Sequence, residues 1–279
     1  MFEHGVAFRV SERVRRIVAP NPGVMTGPGT NTYLIGQEQL AVVDPGPAID
    51  EHIEAIVAAG EGRIRWILCT HTHPDHSPAW QALAAATGAE VLGALPADDP
   101  FQDDSFAPTV ELSQNHLLAT PEFSLRALHT PGHVSNHYCF LLEEEGMLFA
   151  GDHLMNGSTV VIVPPGGDMK AYIESLRLLA TYPLASVAPG HGEMMPDPQA
   201  EIVQLIEHRL KREHKVVAGL AQLGRVDGDA LVKVVYDDVD PARHEWAKLS
   251  MAAHLIKLAQ EQQVKEHANG SWELLNPDA

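Results

Sequence analysis

Only two cysteines occur in the 279 residues, Cys69 and Cys139. Each sits in an apolar, strand-like run (IRWILC and HYCFLL), so both are expected as buried free thiols rather than as a disulfide, which also suits a reducing compartment. Long hydrophobic runs are missing too: no window approaches the roughly 18 uninterrupted apolar residues of a membrane span. The first segment, MFEHGVAFRVSERVRRIV, has neither the apolar stretch nor the small-residue cleavage site of a secretory signal, so the cytoplasm is the expected location. Basic residues are scarce. Nineteen Lys and Arg against 37 Asp and Glu leave a formal net charge of −18, which opposes non-specific attraction to nucleic acid or to an anionic membrane. No internal repeat or low-complexity tract is visible. What remains is ordinary globular composition, 45% hydrophobic and 20% charged, which excludes a disordered, collagen-like or disulfide-stapled chain.

The chain divides near residue 200. Residues 1–199 hold 9 basic and 24 acidic residues, residues 200–279 hold 10 and 13, so the acidity belongs to the first part. There, short strand-like runs alternate with helices. TYLIG and LAVVD (32–36 and 40–44) read as a hairpin, IDEHIEAIVAAG (49–60) as a helix ending at Gly60, and IRWILCT (64–70) as a buried strand. A helix in PAWQALAAATG closes at Gly88 before the strand AEVLG, and FSLRALHT, YCFLLEEEGMLFAGD and ASVAPGH supply further strands. Polar residues cluster at the strand ends, which indicates a layered α/β fold with its site built from loops at one edge. From residue 200 the pattern becomes helical (AEIVQLIEHRLKREHKVVAGLAQLG, DALVKVVY, PARHEWAKLSMAAHLIKLAQEQQ) and ends in VKEHANGSWELL, with Asn-Gly as a hairpin turn. Three helices and a short β wing suggest a winged helix-turn-helix over 200–279.

The chemistry is concentrated in THTHPDH at 70–76. His71 and His73 lie two apart on an extended segment and face one way, while Asp75 and His76 sit on the turn beyond and reach a neighbouring point, a spacing that suits two adjacent metal ions. Three more pieces follow, each at a strand end: His133 in HTPGH, Asp152 in FAGDH and His191 in APGHG. His137 and His153 are close to these in sequence and are candidates to protonate a leaving group, with a purely structural role as the alternative. His129 reads as a packing residue. The Gly/Pro-rich segment NPGVMTGPGTNTY (21–33) reads either as a loop covering a substrate, with Asn31, Thr32 and Tyr33 in contact with it, or as a plain hairpin entrance.

Taken together, these segments resemble the metallo-β-lactamase superfamily over about residues 10–199. The resemblance implies an αββα sandwich (domain 1–199) with a small C-terminal winged-helix domain (200–279). Carried over position by position, it implies His71, His73 and His133 at a first metal, Asp75, His76 and His191 at a second, and Asp152 bridging both. Asp44 in AVVDPG then supports the metal loops, a turn-forming Asp before Pro45 being the alternative reading. Such a site implies a metal-dependent hydrolase that uses a metal-bridging hydroxide, with two Zn2+ per chain, the same ligands also tolerating manganese or iron.

The whole-chain order, with VYDDVDP in the tail, resembles the lactamase-beta-like group, which includes a single-strand endoribonuclease; the group implies single-stranded RNA as substrate. Hydrolysis of a small thioester, ester or lactone, as in glyoxalase-II-like enzymes, is the second reading, and a nucleic-acid-binding regulator with a metal fold is the third. For RNA, Arg209, Lys211, Arg212 and Lys215 in HRLKREHK are expected to hold the backbone, a solvated helix face being the alternative. The tail is otherwise expected to guide a small-molecule substrate or to form a homo-oligomer contact.

Overall fold

The apolar runs separate into two sheets and a helical tail. A computed structural model describes residues 3–157 and 159–275. The first sheet takes seven strands in chain order: β1 (Phe8–Arg9), β2 (Val14–Val18), β3 (Asn31–Ile35), β4 (Leu40–Val43), β5 (Ile64–Leu68), β6 (Glu90–Gly93) and β7 (Val110–Glu111). Its first four strands pair antiparallel and the β4–β5–β6–β7 ladder is parallel. Helices α1 (Asp50–Gly60) and α2 (Trp80–Thr87) make the crossovers between the parallel strands. The second sheet holds β8 (Leu117–Ala119), β9 (Ser124–His129), β10 (Tyr138–Leu142), β11 (Met147–Gly151) and β12 (Ser186–Pro189), with α3 (Met169–Leu179) between the last two.

Most central strands are buried on both faces, so they read as continuous apolar runs rather than as alternating ones. Tyr33, Ile35 and Val43 of the first sheet meet Leu125, Phe140 and Phe149 of the second in the middle of the sandwich. Ile56 of α1 and Leu83 of α2 cover the outer face of the first sheet. On the far side, Tyr172, Ile173 and Leu176 of α3 cover the second. The order of layers is therefore α, β, β, α. Cys69 and Cys139 are both buried free thiols, and no helix among the described residues is long and apolar enough to cross a membrane.

The tail comprises α4 (Pro198–Leu223), α5 (Gly228–Val235), a 3-10 turn at Pro241–Arg243, α6 (His244–Gln260) and the hairpin β13 (Val264–Glu266) and β14 (Trp272–Leu274). Gly270, with φ +76°, lies in the five-residue loop of that hairpin. The tail has its own core, in which Val216 and Leu220 of α4 meet Leu231 and Val235 of α5, Met251 and Leu255 of α6, and Trp272. Yet Ile202 and Leu205, in the first half of α4, belong to the apolar cluster on α3 and the second sheet, as does Ala253 of α6. The break expected at residue 200 is thus crossed by one continuous helix that serves both cores.

Candidate metal centre

Every metal-binding candidate leaves the carboxyl end of a strand, so the sandwich delivers them to one edge. His71, His73, Asp75 and His76 follow β5, His133 follows β9, Asp152 follows β11 and His191 follows β12. Two groups form, with potential ligand atoms within 4.8 Å of one another inside each: His71, His73, His133 and Asp152, then Asp75, His76 and His191. In the first group Nδ1 of His73 lies 3.1 Å from Nε2 of His71 and 3.0 Å from Nε2 of His133. Oδ1 of Asp152 lies 3.4 Å from Nε2 of His76 and 3.3 Å from Nε2 of His191, while its Oδ2 lies 3.7 Å from Nε2 of His133. The carboxylate therefore faces both groups.

Hydrogen bonds on the outer side of the rings fix which nitrogen faces inward. Nδ1 of His76 donates to Oδ2 of Asp44 at 3.0 Å, Nδ1 of His133 to the Val161 carbonyl at 2.9 Å, and Nδ1 of His191 to the Gly29 carbonyl at 3.3 Å. Nδ1 of His71 donates to the Thr70 hydroxyl at 3.0 Å, and that hydroxyl donates to Oδ2 of Asp44 at 2.9 Å. Four imidazoles so anchored turn the lone pair of Nε2 toward the cluster, the arrangement by which outer partners orient metal-binding histidines. Nε2 of His76 and Oδ1 of Asp152 are buried without a hydrogen-bond partner among the described residues. Converging lone pairs and carboxylate oxygens with no proton to share fit a divalent cation of borderline softness.

The electrostatics differ between the two groups. Burial pushes the pKa values of His71, His73 and His133 down, His73 to about 3, so these rings stay neutral. Burial works the same way on His76, but Asp75, Asp152 and Asp44 together outweigh it and raise its pKa. Burial likewise opposes charge on Asp152, and His191 and His76 overcome it and hold the carboxyl well below its usual range.

Asp44 has φ +52°, a left-handed conformation uncommon for a residue with a side chain. Its carboxylate accepts from the Thr70 backbone N–H at 2.7 Å as well as from Thr70 and His76 side chains. It thus ties the strand-end loop to two cluster histidines, the supporting role that the sequence suggests.

Other expectations fare differently. His137 and His153 do not line the cleft above the cluster. His137 is buried, with Nδ1 2.9 Å from the Thr130 hydroxyl and its ring 5.1 Å from that of His71. His153 is buried against Tyr172, ring to ring at 4.7 Å, and burial pushes its pKa down to about 3. The structure corrects the proton-donor assignment: both rings pack behind the cluster, out of reach of a leaving group in the cleft. Asn31, Thr32 and Tyr33 are also buried, bonded to the Pro189, Asp44 and Pro189 carbonyls respectively, so they join strands instead of touching substrate. His129 packs on Tyr138 at 4.9 Å, as expected.

The cleft measures about 480 Å³. Its floor is His73, Asp75, His133, Asp152 and His191, and its walls include Val24, Met25, Phe101, Met155, Trp246 and Leu249. No Lys or Arg lines it among the described residues. Nothing local in the sequence marks Phe101, Trp246 or Leu249 as neighbours of the histidines, since they come from other loops and from the tail.

Residues 25–191 match the family model of the metallo-beta-lactamase superfamily, and residues 229–272 match the beta-lactamase associated winged helix domain. An atrochrysone carboxyl ACP thioesterase of Aspergillus chevalieri is 32% identical over 219 residues, covering 77% of this chain and 68% of that protein. A beta-lactamase-like protein 2 homolog of Drosophila melanogaster is 29% identical over 267 residues, 91% of this chain and 90% of the relative. The crystal structure of a beta-lactamase domain protein from Burkholderia ambifaria superposes with a TM-score of 0.83 at 19% identity, over 98% of this chain and 95% of that one, and so shares both domains of the fold. With a family model spanning most of the first domain and a second one on the tail, the chain belongs to the metallo-beta-lactamase superfamily and is a metal-dependent hydrolase.

Proposed function

We propose that this hydrolase carries two divalent ions, zinc by the histidine-rich ligand set, and cleaves an ester or thioester of an uncharged, apolar acyl group. His71, His73 and His133 would hold one ion, Asp75, His76 and His191 the other, with Asp152 between them. When bound, such a pair polarises a carbonyl oxygen and brings the pKa of water to about 7. Asp44 and Thr70 keep the rings of His71 and His76 in register. Asp75 reaches the cleft with its carboxylate 3.2 Å from Nε2 of His191, and we assign it the holding of the proton taken from water. The thioesterase named among the relatives is consistent with acyl chemistry.

The single observation that carries this reading is the apolar wall of the cleft, which holds no Lys or Arg among the described residues. A phosphodiester needs positive charge along its path, and the basic stretch expected to supply it is otherwise engaged. Arg209 is buried and donates to the Val160 carbonyl at 2.6 Å. Arg212 pairs with Asp238 at 2.8 Å and stacks on Tyr236, and Lys215 pairs with Asp237 at 2.7 Å. Of the four, Lys211 alone is exposed. The regulator reading loses support on similar grounds. Helix α6, the third of the winged-helix set, would have to enter a nucleic-acid groove, and the side it leaves exposed carries Trp246, Leu249 and Ile256 rather than a row of basic residues.

Turnover of 4-nitrophenyl esters, an acyl thioester and a single-stranded RNA by zinc-loaded protein tests the proposal. Ester or thioester cleavage well above RNA cleavage is expected, with about two metals per chain by elemental analysis. Cleavage of RNA alone would sink it.

A further inference from the structure

Resting on the acyl-hydrolase reading above, we propose that Trp246 and Leu249 of α6 form the specificity wall of the cleft, gripping the far end of an extended apolar acyl group. Folding does not account for where these two side chains sit. Helix α6 already buries Ala247, Met251, Leu255 and Leu258 in the tail core and Ala253 against α3. Trp246 nevertheless stands 58% exposed and Leu249 36%, three residues apart and so on one side of the helix. Across the cleft, Val24 and Met25 from the β2–β3 loop and Phe101 from the segment after β6 are also exposed. Five large apolar side chains from three separate segments thus line one cavity while keeping much of their surface in water. Such a convergent apolar patch, open directly onto the metal-binding cluster, fits a ligand that removes it from water.

The same cavity touches His73 and Asp152 at its floor and Trp246 at its rim. A carbonyl held at the floor therefore sends its acyl chain along Met155 and Val161 to α6. The charged groups that line the cavity besides the histidines, Asp75, Asp99 and Asp152, are all acidic, which disfavours an anionic chain, and the walls along which the chain runs are apolar. In the reaction, the oxygen of water forms the new bond to the acyl carbon and the bond to the leaving oxygen or sulfur breaks. One proton of that water ends on the alcohol or thiol, and the other stays with the carboxylic acid until it ionises and passes to solvent, leaving a carboxylate. The winged-helix domain is then a part of substrate selection, and acyl length is the property it reads.

The test uses full-length, zinc-loaded protein with 4-nitrophenyl acetate and 4-nitrophenyl decanoate, two uncharged esters with one leaving group. Trp246→Ala and Leu249→Ala should each lower the decanoate-to-acetate ratio of kcat/KM by about tenfold, and the pair together by about a hundredfold, the loss falling mainly on the KM for decanoate. Binding of 2-dodecanone, which cannot be hydrolysed, should weaken about tenfold in Leu249→Ala by tryptophan fluorescence. Both positions are exposed, so unchanged circular dichroism is expected; Leu249→Glu, which places a charge in the wall, should depress the ratio further. A ratio within twofold of wild type in the double variant overturns the wall. Should wild type cleave neither ester, the acyl-hydrolase reading fails instead, and ketone binding still decides whether the wall grips an apolar chain.

Discussion

Gly190 has no side chain, and the cluster depends on that. A Cβ there would lie 2.7 Å from Cε1 of His76 and 2.8 Å from Oδ1 of Asp152, closer than real contacts permit. Gly190→Ala should therefore displace two cluster groups and lower kcat by about 10² while leaving the sandwich folded; normal turnover with a full metal complement would contradict the crowding. His52 makes a different demand. Its ring is buried under the Asp44 loop, with Nε2 2.8 Å from the Thr32 hydroxyl, and burial pushes its pKa down to about 4. In the unfolded chain it titrates near ~6.5, so between those two values the unfolded state holds more protons and stability falls as pH falls. The stability advantage of wild type over His52→Gln should shrink by about 2 kcal/mol from pH 7 to pH 5, read from urea midpoints. An advantage that does not change with pH would mean the imidazole is not held neutral.

Among the elements, α4 ties the tail to the loops that carry the cluster. Arg209 donates through Nη2 to the Val160 carbonyl, and the next carbonyl, Val161, accepts from Nδ1 of His133. The guanidinium also lies over the Tyr172 ring, 5.2 Å from its centre. Arg209→Met keeps much of the stem but removes the donor, so it should cost about 2 kcal/mol of stability and loosen metal at His133; a chelator competition showing wild-type affinity would break that link. This contact was hidden in the sequence, where HRLKREHK reads as a basic face: a charge run does not reveal which of its members meets a carbonyl 49 residues away. The metal loops were legible for the opposite reason. Their residues are tied to strand ends, and buried strands announce themselves as apolar runs, so IRWILC followed by THTHPDH already states where the polar atoms emerge. Helix α3 was not among the expected elements, although Tyr172, Ile173, Leu176 and Leu179 stand at helical spacing after the capping Asp168, whose side chain accepts from the Ala171 N–H. The Pro-Pro-Gly-Gly stretch just before it obscures that start. Of the cleft walls only the 21–33 loop was legible, through Val24 and Met25; Phe101, Trp246 and Leu249 were not, because Trp246 and His73 come to line one cavity only once both domains have formed.

At the scale of the whole molecule, the tail leans on the catalytic layers through Ile202, Leu205 and Ala253. Helix α4 joins the two cores along one uninterrupted hydrogen-bonded rod, with Leu205 in one and Val216 in the other. Melting either core strips packing from the helix that the other requires, so the two domains are thermodynamically one unit. Scanning calorimetry of the full chain should show a single heat-absorption peak whose calorimetric enthalpy equals its van't Hoff enthalpy; two resolved peaks would mean that the rod breaks between residues 205 and 216. Evolution or engineering that exchanges the tail for another would then have to replace the helix whole, since α4 fills the gap between the two family matches, which end at residue 191 and begin at residue 229.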